Sequence, residues 1–428
     1  MNFFHVVSVL IVLSAAFGYI NYRFLRLPHT IGMMLIALIT SLGLIGLGYL
    51  NIGFKQEVVD ALKGIDFSYV LLNVMLSFLL FAGAINVNSK KLLEQKYPVM
   101  IFATLGVITS TFIVGTIFYY FMELISIHID YIHCLLFGAL ISPTDPIAVL
   151  GILKEAGIPK SLEVKITGES LFNDGVAVVI FLSLYQVAEI GIANLSAIDV
   201  GLLFLREAAG GIVLGFALGY AGFYLLKSID NYKVEVVITL AIVTGGYSLA
   251  EIVQVSGPLS MVVAGIITGN RGRRYAMSDT TQSYVDKFWE MSDEILNALL
   301  FMLIGFEFLV IDLKPFYLLL GLFGIAVILF ARFISVGIPV QVMKHTFTKH
   351  SILILTWGGL RGGISVALAL SLQPDMHKSF FVAVTYIIVL FSIGVQGLTI
   401  GKLVKSLKFE VKEEEQEQKK EKRREEKK

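Results

Sequence analysis

Apolar stretches of membrane-spanning length, separated by short polar loops, occupy almost the whole chain up to residue 401. Crossing the hydrocarbon core of a bilayer, roughly 30 Å, takes about 20 apolar residues as a helix. By that measure the pattern predicts thirteen spans, near residues 3–22, 29–49, 66–86, 98–121, 131–152, 163–188, 199–227, 234–252, 255–270, 290–311, 315–342, 350–373 and 379–401. The stretch at 255–270 is short and opens with Gly257-Pro258, which suits a partly re-entrant segment. No ten-residue apolar/polar alternation recurs, so helices rather than barrel strands are expected to span. Arg23 and Arg26 follow the first apolar stretch and no Lys or Arg precedes it. That order is the reverse of a cleaved leader and reads as a retained span. The expected fold is all-α and polytopic, with a transmembrane domain at 1–401 and a charged tail at 402–428.

Composition supports this reading. The chain is 56% hydrophobic and 16% charged, against about 25% charged in soluble domains. The net charge of +1 sums an apolar body and a charged tail, and so identifies no partner other than membrane lipid. It gives no sign of nucleic-acid binding. Cys134 is the sole cysteine, which excludes an internal disulfide. The tail, rich in Lys, Arg, Glu and Gln, reads as a solvated helix or disordered segment. With thirteen spans the termini fall on opposite sides of the membrane. Sixteen Lys and Arg lie in loops after odd-numbered spans, against only Lys55, Lys63, Lys314 and Lys378 after even-numbered ones. Positive charge gathers on the cytoplasmic side, so the N-terminus is expected outside and the tail inside, in a cell membrane.

A few charged residues within or beside the spans form the functional short list: Asp145, Glu169, Asp174, Arg206, Glu207, Glu307, Arg332 and Arg361. A carboxylate at the bilayer centre costs about 2.5–3.5 kcal/mol on insertion scales, and so calls for a function. Asp145 stands in Ser142-Pro143-Thr144-Asp145-Pro146. Two prolines remove two backbone donors and clash one turn earlier, opening the helix around Thr144-Asp145. Opened backbone at membrane depth is tolerated only inside protein or beside a watery cavity. A second interruption, Trp357-Gly358-Gly359-Leu360-Arg361-Gly362-Gly363, sets four glycines around one arginine. The breaks fall in spans 5 and 12. If spans 1–6 and 8–13 are six-helix repeats joined by span 7, the breaks occupy matching positions, and the odd offset inverts one repeat against the other. Paired discontinuous helices in inverted repeats mark the midplane site of secondary transporters.

Between the breaks lies Gly168-Glu169-Ser170-Leu171-Phe172-Asn173-Asp174-Gly175. Ser170 and Asp174 share one helix face, as do Glu169 and Asn173. The Asp174 carboxylate and the Ser170 hydroxyl offer the oxygen ligands that hard cations prefer. Such a carboxylate can hold a proton or a cation but not both, and this competition alone gives exchange. Arg361 is the expected charge partner of Glu169. Gly211, Gly215 and Gly219 form a small-residue stripe suited to helix packing within or between subunits. Arg206-Glu207, Glu307 and Arg332 read as structural, and His128 and His133 as residues of an outside loop. No P-loop, zinc motif or hydrolase elbow is present, so no enzyme activity is expected.

In that order and on those spans, SPTDP, GESLFNDG and GGLRGG resemble the monovalent cation:proton antiporter family of bacterial sodium/proton antiporters and animal sodium/proton exchangers. The resemblance implies a thirteen-span inverted-repeat fold, a homodimer, and a core domain moving against an interface domain. It implies sodium ions and protons as substrates, with no cofactor. Asp174 would be the main cation- and proton-binding carboxylate. Asp145 would complete the site, with oxygens from Thr144 and Ser170, so that sodium is held by Asp174, Asp145 and Ser170. Asn173 marks the branch that resembles electroneutral exchangers, and Glu169 and Arg361 look like a structural ion pair. Some relatives carry a glutamate ligand in the third span, where this chain reads Phe81-Ala82-Gly83-Ala84. Ala82 supplies no such ligand, so water or a backbone oxygen must stand in. Potassium/proton exchange is the nearest alternative and a cation channel one of another class. An intramembrane aspartyl protease is disfavoured, because Asp145 and Asp174 follow Thr144 and Asn173 rather than the motifs such enzymes need.

Overall fold

The computed structural model describes residues 3–49, 59, 67–145, 147–191, 197–311 and 314–407. Pro146, the loop carrying Lys55 and Lys63, and the tail beyond residue 407 lie outside the described residues. Helices form wherever the apolar runs predict them, and no strand occurs among the described residues. Leaving aside short helices such as Ser89–Glu94, the principal ones in chain order are α1 (Phe3–Ile20), α2 (His29–Tyr49), α3 (Phe67–Ile85), α4 (Lys96–Leu124), the broken α5 (Tyr131–Ile141 and Ile147–Glu155), α6 (Lys160–Ile190), α7 (Ala197–Lys227) and α8 (Tyr232–Ile252). Then follow α9 (Gly257–Ile267), α10 (Asp279–Glu307), α11 (Pro315–Val342), the broken α12 (Ser351–Trp357 and Gly363–Ser371) and α13 (Lys378–Ser406).

Among the described residues, nine helices are long and apolar enough to cross a membrane. The others depart from that pattern for identifiable reasons. Backbone breaks divide α5 and α12, and α9 runs only 11 residues before a π-turn at Thr268–Gly272. The helix α10 begins at Asp279, well before the expected start near residue 290. Its first turns alternate charge with apolar residues such as Val285 and Trp289, both buried, so an apolar-run criterion passes over them although the helical period continues.

Two apolar clusters make up most of the core. One takes in Leu140 and Ile141 before the break in α5, together with Leu368 and Leu372 after the break in α12. The other takes in Leu153 after the first break, and Ile354 and Leu355 before the second. The broken α5 therefore passes from one cluster to the other at its unwound segment, whereas the second half of α12 contributes to both. The glycine stripe of α7 is consumed within the chain. A Cβ at Gly211 or Gly215 would stand 2.6 Å from the Ser256 or Ser260 carbonyl oxygen, and one at Gly219 2.8 Å from Ile267. These glycines let α9 lie directly against α7, as close-packed helices in a bilayer require. On its other side α9 meets α3, where a Cβ at Gly265 would stand 2.6 Å from the Ala84 side chain.

Candidate functional site

The unwound segments of α5 and α12 cross and are bonded to one another. The Asp145 backbone N–H donates to the Leu360 carbonyl at 2.9 Å. Arg361, 1% exposed, donates through Nη1 to the carbonyls of Ser142 at 3.0 Å and Pro143 at 3.1 Å. A helix that stops leaves its last carbonyls without partners, and here an arginine from the opposing break satisfies two of them. Gly362 lies flat against Asp145, and any Cβ there would overlap the aspartate side chain. The Ser142 hydroxyl turns back to the Gly138 carbonyl at 2.6 Å, finishing the first half of α5.

A π-turn in α13, Ser392–Gln396, fixes the second break. The Ser392 hydroxyl accepts the Arg361 backbone N–H at 2.9 Å and donates to Gln396 Oε1 at 2.7 Å. The Gln396 amide in turn donates to the Trp357 carbonyl at 2.9 Å. The extra residue of a π-turn turns both side chains toward the break, a common use of such turns at functional sites.

The helix α6 runs unbroken past this crossing. Asn173, 1% exposed, donates through Nδ2 to Thr144 Oγ1 at 2.7 Å. Its Oδ1 is buried with no hydrogen-bond partner among the described residues. Asp174 follows at once, half-buried, and lies close enough to Asp145 for each charge to act on the other. Ser170 is buried one turn earlier on the Asp174 face. The structure thus gathers Thr144, Asp145, Asn173 and Asp174 around the crossing. Two neighbouring carboxylates with hydroxyl and amide oxygens beside them suit a small hard cation, whose charge relieves their mutual repulsion.

One expected pairing is corrected. Glu169, 2% exposed, is held by Arg332 Nη1 at 2.5 Å, not by Arg361. Arg361 is committed to the carbonyls of α5, while Arg332 reaches Glu169 from α11 past Gly359. A Cβ at Gly359 would stand 2.7 Å from the Arg332 Nε. That Nε also donates to the Leu355 carbonyl at 3.1 Å, so one guanidinium ties α6, α11 and the first half of α12 together. Breaking a buried pair by removing one partner costs about 3–5 kcal/mol, because it strands the other charge. Arg332→Met alone is therefore expected to lower the thermal stability of the detergent-purified protein sharply. Adding Glu169→Leu should recover part of the loss, and fully additive losses would contradict the pairing.

The other short-listed residues stand apart from the crossing. Arg206 bonds Gln254 at 3.3 Å at an exposed position, and Glu307 ends α10. His128 is exposed, whereas the ring of His133 meets His377 with centroids 5.7 Å apart. Gly83, next to Ala82, packs on α6, where a Cβ would stand 3.6 Å from Leu171.

A cavity of about 520 Å³ opens between the connection joining α1 to α2, the second half of α5, and α10. Asp293 and Asn297 line it, and Asp293 is near enough to Asp145 for their charges to interact. Neither residue was on the short list. The available signal was a polar pair one helical turn apart inside an expected span.

The pattern of the family described as "Sodium/hydrogen exchanger, transmembrane" matches residues 11–406. The Na(+)/H(+) antiporter NhaP of Pseudomonas aeruginosa is 48% identical over 409 residues, covering 94% of this chain and 96% of that protein. The Na(+)/H(+) antiporter NhaH of Halobacillus aidingensis is 34% identical over 418 residues, covering 95% and 99%. The structure of the sodium proton antiporter MjNhaP1 from Methanocaldococcus jannaschii superposes with a TM-score of 0.74 at 20% identity, over 94% of this chain and 99% of that one. That likeness establishes a common fold.

Proposed function

The chain belongs to the sodium/hydrogen exchanger family, and from that premise we propose that it exchanges one sodium ion for one proton at Asp174, with no net charge moved. The observation that carries the proposal is the bonded crossing of the two unwound segments, with Asn173 bridging α6 to Thr144 so that Asp174 stands beside Asp145. Asp174 takes the proton or the cation in alternation. Asp145, Ser170, Thr144 and the unpartnered Oδ1 of Asn173 supply further oxygens to the cation. Arg361 and the Arg332–Glu169 pair hold the scaffold that places them. No cofactor enters this scheme, since ion gradients supply the driving force.

In this reading α1 to α13 are thirteen spans built as two inverted six-helix repeats, with α5 and α12 as the matching discontinuous helices. The body to residue 401 forms the transporting unit of a homodimer in the cell membrane. The basic loops face the cytoplasm, as does the tail.

The test is proton flux in sealed proteoliposomes on adding sodium or potassium, with the membrane voltage clamped. Sodium is expected to drive a pH change that does not respond to voltage. The apparent KM for sodium should rise as pH falls, because protons hold the same carboxylate. A response to potassium alone would replace sodium as the substrate, current without proton coupling would indicate a channel, and net charge per cycle would overturn electroneutrality.

A further inference from the structure

The cavity beside α10 carries chemistry that the exchange site does not use. Three carboxylates, Glu155, Asp293 and Glu294, line it against one arginine, Arg26, with His29 also at its wall. Glu155, Glu294, Arg26 and His29 are exposed at the mouth, whereas Asp293 is half-buried and Asn297 is 2% exposed. Asp293 and Asn297 are four residues apart on α10 and so share one face. The Asn297 Oδ1 is buried with no hydrogen-bond partner among the described residues. That oxygen, on the face that also carries the Asp293 carboxylate, is a second ligand for a cation there. A buried acceptor left unsatisfied costs about 1–3 kcal/mol, so a site that lines a cavity and keeps one is suited to an occupant that supplies positive charge.

We propose that Asp293 and Asn297 form a waypoint for a monovalent cation, between solution on the face where the cavity opens and the Asp174–Asp145 site. Carboxylate and amide oxygens match the hard, weakly held ions that exchange requires. The charge interaction between Asp293 and Asp145 joins the waypoint to the crossing, so a cation leaving one is attracted by the other. Asp293 is thereby a capture residue. It raises the local cation concentration without taking part in the exchange step, as a carboxylate-lined cleft does for a charged substrate.

This inference rests on the exchange reading, so its test separates the two. Sodium-dependent proton flux is measured in everted and in right-side-out membrane vesicles carrying wild type, Asp293→Asn, Asn297→Ala or Asp174→Ala. Asp293→Asn is expected to raise the apparent KM for sodium about tenfold on the face where the cavity opens, with maximal rate and the opposite-face KM unchanged. Asn297→Ala should raise the same KM by a smaller factor, which keeps the test available if the first variant folds poorly. A KM rise on both faces, a fall in maximal rate alone, or no change in either variant would overturn the waypoint. In those cases wild-type flux that is lost in Asp174→Ala leaves the exchange site standing. Absence of sodium-coupled flux in wild type would overturn both.

Discussion

Asp174→Ala is expected to reduce sodium-coupled proton flux to the level of empty vesicles while leaving the protein folded and at least as heat-stable as wild type. The two halves of that expectation come from different observations. Exchange is lost because the carboxylate that takes proton and cation in turn is gone, and no neighbour replaces it. Asp145 is bound into the crossing through its backbone N–H and pressed against Gly362, so it cannot move into the place of a group on α6. Stability is kept because the Asn173–Thr144 bond, at 2.7 Å, holds α6 to the break without help from Asp174. Removing one of two like charges also relieves repulsion. Flux and thermal unfolding measured on the same preparation check both parts. Persistent exchange would remove Asp174 from its role, and an unfolded variant would assign it to the scaffold.

The second large effect is of the opposite kind. Arg361→Ala is expected to lower the amount of folded protein severely, with activity lost only as a consequence. The substitution deletes charge-assisted hydrogen bonds to the Ser142 and Pro143 carbonyls, each worth about 1.5–3 kcal/mol. It leaves those acceptors buried and opens a void where a large side chain, 1% exposed, had been. Two such bonds are a large share of the roughly 5–15 kcal/mol that separates folded from unfolded protein. Arg361→Lys should recover only part of the loss, because an ammonium is more strongly hydrated than a guanidinium and so costs more to bury there. Fluorescence-detected size exclusion with thermal challenge measures the effect. A variant as stable as wild type would contradict the assignment of Arg361 as the clamp between the breaks.

Arg361 also shows where sequence reasoning reaches its limit. Both breaks were legible because their causes are local. Pro143 removes a backbone donor whatever surrounds it, and four glycines around Arg361 weaken a helix in any context. The sharing of a face by Ser170 and Asp174 follows from helical period alone. The partner of Glu169 was not legible, since Arg332 and Arg361 both fall within expected spans and no spacing relates either one to Glu169. Only the fold shows that one is occupied by carbonyls while the other passes Gly359. The early start of α10 was missed for another reason. A run of polar residues on the outward face of a helix hides the buried face from a measure that counts apolar length. The bridge from Asn173 to Thr144 was not legible either, because the residues lie on different helices and nothing in their spacing joins them.

The central claim is that one carboxylate holds either a proton or a sodium ion, and proton release on sodium binding tests it most directly. Purified protein is titrated with sodium by calorimetry in buffers of different ionisation enthalpy, at a pH where the site is protonated. Metal binding at a protonated ligand releases its proton, so the account predicts about one proton released per sodium bound, and none in Asp174→Ala. Sodium binding without proton release, or the same release from Asp174→Ala, would contradict it.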